Sequence, residues 1–336
     1  MKVVVITGER QCAIVDRPYP LTRDNYVIIK ILAAPMCTEV GSYKAGDVSD
    51  LLGHEAAGEV VEVARSGRVK VGDRVVVMPQ NGCGVCDLCL SGSHILCQTP
   101  RDPYSVTGST TGRATYAQYC LQQDWLLYPV PDDISIEHAS MACCGIGPTF
   151  NAMQRMGVGA RDTVLISGLG AVGLGGVVNG RVRGARMIGL EANPWRADLA
   201  RRLGTEAVIN PNDPDALEQI RALTDGKGVD KSIEASSANA APSFLVQATR
   251  IGGELTTVGW GGPILARDIV ARDLTVRGAW HWNHLRDAGT MRKTLQAAAP
   301  LLDMLISHRF PMSRVQDAWE LQMTGECAKI VLDPWN

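Results

Sequence analysis

An α/β protein built in two parts is what this sequence predicts, and three observations carry that expectation. Its 336 residues exceed what one hydrophobic core usually serves, so two domains are the default. Residues 1 to about 147 break into short β-like runs separated by turn signals, the pattern of an irregular, mostly antiparallel β domain with long loops. From Asp162 to Gly261 strand and helix signals alternate, which marks a doubly wound parallel sheet.

Composition narrows the function classes. The chain is 46% apolar and 20% charged with a formal net charge of −2, so nothing electrostatic argues for nucleic acid or an anionic membrane as partner. No apolar run approaches bilayer-spanning length. Met1-Lys2-Val3-Val4-Val5-Ile6-Thr7-Gly8 is too short for a signal peptide and reads as a first strand. Ten cysteines in a chain without an export signal point to metal or catalysis rather than disulfides, and to a cytoplasmic protein.

In the first part, strands are expected over 27–32, 58–63 and 71–78. Between the first two lies Leu51-Leu52-Gly53-His54-Glu55-Ala56-Ala57-Gly58, a histidine beside a carboxylate closed in by glycines and apolar residues. Such a pair is more often a surface pair or a hydrogen-bonded loop histidine. Company raises it toward a metal site: Cys37 stands 17 residues upstream, and Cys143 and Cys144 stand far downstream. Cys83, Cys86, Cys89 and Cys97 form C-x2-C-x2-C-x7-C. Two-residue gaps let successive thiolates converge on one centre, and the longer gap lets the chain fold back with the fourth. Four thiolates and no open position describe a structural zinc site. An iron–sulfur cluster would more often show a Cys-Pro ending, and paired disulfides conflict with the compartment.

The second part opens on the strand 162–167, which runs into Gly168-Leu169-Gly170-Ala171-Val172-Gly173 at the start of a helix. That is G-x-G-x-x-G in the context where its glycines serve a tight turn, backbone approach to a pyrophosphate, and helix–strand packing. The next strand, 186–190, ends in Glu191, 23 residues after the first glycine. A carboxylate there accepts the adenosine ribose hydroxyls and repels a 2′-phosphate, favouring NAD over NADP, with Arg196 the counter-argument. Asn193 and Pro194 read as N-cap and first residue of the next helix. Strands follow at 207–210, 229–234, 254–259 and 274–278, with helices near 214–225 and 241–251. Trp280-His281-Trp282 lines a cleft or fills an interface. Beyond Asn283 the pattern is helical, broken at Pro300, and the closing strand 328–332 returns to the first domain, with Lys329 read as solvated.

Taken in order, Cys37, Gly53-His54-Glu55, Val71-Gly72-Asp73-Arg74-Val75, the four-cysteine lobe, and Gly168 to Gly173 with Glu191 resemble the zinc-dependent medium-chain alcohol/polyol dehydrogenases. The resemblance spans essentially the whole chain. It implies a GroES-like catalytic domain over 1–147, completed by 284–336, and a Rossmann NAD-binding domain over 148–283, with the active site in the cleft between them. It also implies two zinc ions per chain, a homodimer or homotetramer, and hydride transfer between a small-molecule alcohol or ketone and NAD. Cys37 and His54 match the first two catalytic ligands of the Cys2His set known for alcohol dehydrogenases. Counting six residues back from Phe150 selects Cys144 as the third, with Cys143 one residue away. Glu55 matches the carboxylate that binds zinc or sits beside it.

One departure stands out. The family pattern is Cys, one spacer, then Ser or Thr, whereas this chain reads Cys37-Thr38-Glu39. Thr38 is then the proton carrier of a contracted turn, and Glu39 the carboxylate that orients the ligating histidine. No histidine follows, so Ser42 and Tyr43 are the remaining polar groups. The substrate expected is a secondary alcohol such as a polyol, sugar or cyclitol, on the motive of Asp47 and Asp50 in the loop before His54. The alternatives are an NAD(P)H-dependent reductase of a carbonyl or C=C bond on the same fold, and a non-catalytic nucleotide-binding protein with one zinc.

Overall fold

The computed structural model describes residues 1–65 and 67–336. They form two compact units: Met1–Gly145 with Asn283–Gln296 and Ile306–Asn336, and Ile146–Trp282 with Ala297–Leu305.

The first unit begins with a hairpin of β1 (Lys2–Gly8) and β2 (Gln11–Asp16). Its centre is β3 (Tyr26–Pro35), an almost continuous apolar run of Val, Ile and Ala that is buried along nearly its whole length. Such a strand is stable only with neighbours on both edges. It pairs antiparallel with β4 (Ala56–Val63) and with β6 (Tyr119–Gln123). β5 (Arg74–Val77) and β7 (Leu127–Pro129) extend the sheet beyond β4. Gly58 marks the tightest crossing, since a Cβ there would lie 2.0 Å from the carbonyl oxygen of Lys30. The strand expected over 71–78 begins only at Arg74, because Val71-Gly72-Asp73 is a turn in which Gly72 takes φ +90°.

The second unit holds six parallel strands: β8 (Thr163–Ser167), β9 (Arg186–Leu190), β10 (Ala207–Ile209), β11 (Val229–Glu234), β12 (Thr249–Thr257) and β13 (Thr275–Gly278). Their order is β10-β9-β8-β11-β12-β13, that of a dinucleotide-binding sheet whose winding reverses between β8 and β11. Two boundaries differ from expectation. The helix placed near 241–251 stops at Ala248, since Gly252-Gly253 cannot sustain it and Thr249 already enters β12. The helix Ala299–Leu305 belongs to this unit rather than the first, because its buried Leu302 and Leu305 accompany packing on the helix Ala171–Val182.

The chain then returns to the first unit through β14 (Ile306–Pro311) and β15 (Lys329–Asp333), parallel to one another. β15 pairs antiparallel with the end of β3, Val331 opposite Pro35 and Leu332 opposite Ala34. That pairing carries Lys329 into the interior of the first unit.

Candidate functional site

Cys37 follows β3 and is fixed through its backbone. Its N–H donates to the Tyr116 hydroxyl (3.3 Å), and its carbonyl accepts from Gln322 Nε2 (2.6 Å). His54 enters from the loop before β4. Gly53 precedes it at φ +79°, and a Cβ there would lie 2.4 Å from Thr115 Oγ1, so the chain can turn this tightly only at glycine. Glu39 accepts from His54 Nδ1 at 2.6 Å and from the Tyr116 hydroxyl at 3.0 Å. The contracted Cys-Thr-Glu turn therefore does bring Glu39 to the histidine, leaving Nε2 facing Cys144 Sγ at 3.3 Å.

One ligand atom each from Cys37, His54, Glu55 and Cys144 lies within 4.8 Å of every other. Cys143 is turned away, its thiol donating to the Val77 carbonyl (3.4 Å) in the core. Glu55 has no exposed surface. Its Oε1 accepts from Lys329 Nζ at 2.5 Å and its Oε2 from the Cys144 N–H at 3.0 Å. Lys329, read from the sequence as solvated, is instead fully buried and donates also to the Met36 carbonyl (2.9 Å). An ammonium in that interior demands a partner, and Glu55 is it.

The electrostatics follow. A hydrogen bond from Cys144 holds the Cys37 thiol well below its ordinary value, helped by the charge of Lys329. Burial pushes the His54 imidazole down, but hydrogen bonds to Cys37 and Glu39 and the carboxylate charges outweigh it and lift it to about 11. Burial likewise works against the Lys329 ammonium, and Glu55 overcomes it, keeping the lysine charged. Without metal the cluster holds a Cys37 thiolate against an imidazolium, while the Cys144 thiol is pushed up. A divalent ion bound there would take the place of the His54 and Cys144 protons.

The second cluster is the loop of Cys83, Cys86, Cys89 and Cys97, whose sulfurs also lie within 4.8 Å of one another. Cys83 Sγ is 3.9 Å from Cys89 Sγ, and Cys86 Sγ is 3.9 Å from Cys97 Sγ. A tetrahedral zinc with sulfur at about 2.3 Å separates its sulfurs by roughly 3.8 Å. The N–H groups of Cys86 and Cys83 point at Cys83 Sγ and Cys97 Sγ, both at 3.3 Å. All ten cysteines are free, so the disulfide reading falls.

In the second unit the three glycines of the motif do different work. Gly168 takes φ +83° and passes Ser236 so closely that a Cβ would sit 2.5 Å from it. At Gly173 a Cβ would lie 1.9 Å from the Gly168 carbonyl oxygen, so the helix packs on the turn only without one. Gly170 is open: the nearest atom to its absent Cβ is Arg196 Nη1, at 3.9 Å. Ala171 and Val172 begin the helix Ala171–Val182, aiming its first amides at that opening. Glu191 fastens the turn, accepting from the N–H groups of Leu169 and Asn193, both at 2.8 Å. Arg196 Nε is buried without a hydrogen-bond partner.

A cavity of about 210 Å³ adjoins His54 within the first unit, lined among others by Pro79, Gln80, Arg113, Thr115 and Gln122. Asp47 and Asp50, the motive for a polar substrate, are exposed and do not line it; Asp50 faces Arg17 at 3.4 Å. Thr38 is exposed beside Cys37. Sequence reasoning missed Tyr116 and the pairing of Lys329. The second had a signal: a lone lysine inside Cys327-Ala328-Lys329-Ile330-Val331-Leu332, a run expected to be buried, requires a buried counter-charge.

Two family models match the chain, an alcohol dehydrogenase GroES-like domain over residues 23–132 and a zinc-binding dehydrogenase over 171–300. The sorbitol dehydrogenase of Bacillus subtilis is 30% identical over 99% of this chain and 97% of the relative. The L-threonine 3-dehydrogenase of Pyrococcus furiosus is 30% identical over 94% of this chain and 93% of its own. Among solved structures, an alcohol dehydrogenase from Thermus sp. ATN1 superposes with a TM-score of 0.89 at 23% identity, covering 99% of both chains. A shared fold, two thiol-rich clusters and full-length similarity meet here: the chain belongs to the zinc-dependent medium-chain alcohol/polyol dehydrogenases.

Proposed function

We propose that the chain transfers a hydride from the carbinol carbon of a secondary alcohol (a polyol, sugar or cyclitol) to NAD, giving ketone, NADH and a proton. The observation that carries this reading is the cluster of Cys37, His54 and Cys144, with Glu55 beside it. Its donor set fits zinc: a tetrahedral ion separates a nitrogen and a sulfur ligand by roughly 3.6 Å, against 3.3 Å between His54 Nε2 and Cys144 Sγ. Zinc bound there supplies a Lewis acid that eases loss of the alcohol proton.

The chain's own residues do the rest. Glu39 holds His54 in one tautomer and orientation, and Tyr116 holds Glu39. Both Glu55 oxygens are engaged by Lys329 and the Cys144 amide, so its role is a charge beside the metal, with a direct bond requiring loss of one of those contacts. Thr38 Oγ1, exposed beside Cys37, passes the released proton to water. Cys83, Cys86, Cys89 and Cys97 hold a second, structural zinc. The polar lining of the cavity beside His54 supports a hydroxylated substrate, its Gln80 Oε1 and Thr115 Oγ1 being buried without partners. β13 lies at an open end of its sheet, which supports self-association into a homodimer or homotetramer. Free cysteines support a cytoplasmic setting.

Purified enzyme is expected to carry two zinc ions per chain and to reduce NAD with members of a polyol, sugar and cyclitol panel. A metal count near one, with no NAD reduction by any alcohol, would sink the proposal. Cofactor choice is tested separately. Glu191 keeps lone pairs for the ribose hydroxyls beyond its two backbone contacts, so NAD is favoured over NADP by about 10-fold or more in kcat/KM. Arg196→Ala is expected to remove most residual NADP turnover, because its guanidinium is the cation nearest Gly170. Equal use of both cofactors by the wild type overturns the Glu191 argument.

A further inference from the structure

Trp260 follows β12 and is 82% exposed, and Trp280 follows β13 and is 50% exposed. Their rings stand edge to face, centroids 6.1 Å apart and planes at 85°. Both indoles belong to the second unit. Neither packs a core, unlike Trp282, which is buried against Phe150.

The backbone under Trp260 is held with unusual care. Glu234 ends β11 fully buried, and its Oε1 accepts from the Ser236 and Ser237 amides (2.7 and 2.8 Å) and the Ser236 hydroxyl (2.8 Å). These bonds keep Ser237 at φ +58°, a left-handed conformation that serine rarely adopts. Ser237 Oγ in turn accepts the Trp260 N–H at 2.9 Å. The Glu234 carbonyl accepts from the amides of Val258 and Gly259, and Gly259 has no room for a Cβ, which would meet Glu234 Oε2 at 2.6 Å. A buried carboxylate, a strained serine and a required glycine thus fix a residue whose side chain faces solvent. Positioning of that kind is found where a side chain meets a ligand.

The location agrees. A dinucleotide crosses the carboxyl ends of such a sheet at the winding reversal, one mononucleotide on each half. Glu191 marks the β9 half as the adenosine side, so the nicotinamide half belongs with β11 to β13, whose ends carry the two tryptophans. Trp260 therefore stands at the carboxyl end of the half of the sheet where a carbinol C–H would meet that ring. The electron-rich indole face attracts the slightly positive C–H groups of a saturated ring. A flexible chain presents no such face and loses more freedom on binding.

We propose that Trp260, steadied by Trp280, is a stacking platform for the ring of a cyclic polyol, a pyranose or cyclitol, and sets a preference for ring alcohols over open-chain ones. This rests on the alcohol-oxidising reading above and narrows its substrate class.

The test compares Trp260→Ala and Trp260→Phe with wild type on a cyclitol and pyranose panel, on open-chain hexitols and on 2,3-butanediol. The ratio of ring to open-chain kcat/KM is expected to fall about 10-fold in Trp260→Ala, mostly through KM, with Trp260→Phe recovering part of it. Saturation-transfer NMR with NADH-loaded protein reads ring binding without turnover, and its signal should vanish in Trp260→Ala. Light scattering reads the mass. Equal losses on all substrates, no ring binding by the wild type, or conversion to a smaller assembly would each overturn the platform, the last by making Trp260 an interface residue. Ring binding that depends on Trp260 in a wild type that oxidises no alcohol would sustain the platform and defeat the activity reading instead.

Discussion

Lys329→Met is expected to destabilise the protein by about 3–5 kcal/mol, one of the largest effects available to a single substitution in this chain. Methionine matches the length of the lysine stem, so packing is nearly conserved and the loss is electrostatic. In the wild type, Lys329 and Glu55 have no exposed side-chain surface and meet at 2.5 Å. Without the ammonium, Glu55 retains only the Cys144 N–H as donor and sits beside the Cys37 thiolate, whose charge repels it. The carboxyl must then stay ionised with only the more distant His54, at 3.9 Å, to offset its charge, or take up a proton. Either way the low pKa of Cys37 suffers, because the charge of Lys329 is one of its supports. Lys329→Met with Glu55→Gln removes both charges and should recover much of the loss, since a buried pair replaced on both sides is often neutral. Chemical denaturation with parallel metal analysis measures this. A single variant within about 1 kcal/mol of wild type would mean that water reaches the pair and that its burial counts for little.

That lysine also shows where reading the sequence stopped. Local chemistry was legible: the glycines at 168, 170 and 173 announce their turn because each answers a constraint within a few residues, and the four-cysteine spacing closes on itself. The parallel, doubly wound character of the second unit's sheet followed from alternation, whereas its strand order did not. Contacts set by strand pairing were not legible. Glu55 and Lys329 are 274 residues apart and meet because β15 pairs with β3, a register that no spacing in the sequence encodes. Tyr116 reaches Glu39 across 77 residues for a similar reason. Composition misled where side chains turn outward: Asp50, suspected of reading substrate, faces Arg17 on the surface. Boundaries failed where tertiary packing overrode propensity, as with the helix Ala299–Leu305, whose leucines belong to the second unit.

On the two-zinc reading proposed above, the adjacent cysteines 143 and 144 allow the most discriminating comparison in the cluster of Cys37, His54 and Cys144. Cys144→Ser is expected to lower bound zinc from two per chain toward one and to reduce kcat/KM by about 1,000-fold or more, since a hydroxyl is a poor substitute for a thiolate ligand. Cys143→Ser should keep both ions and most activity. Its thiol donates to the Val77 carbonyl inside the core, and a serine hydroxyl can make the same bond, so the cost is a stability change of about 1 kcal/mol. The two substitutions are chemically identical and one residue apart, so differences between them report geometry alone. Cys144 Sγ faces His54 Nε2, and its backbone amide donates to Glu55, which ties this residue to the cluster twice. Cys97→Ser serves as the control for the other ion: it should lose the structural zinc and loosen the loop 83–97, which has little apolar core of its own, while the catalytic cluster keeps its donors. If Cys143→Ser loses metal and Cys144→Ser retains it, the third ligand is the other cysteine, and the strand end at Val77 must rearrange to release its thiol.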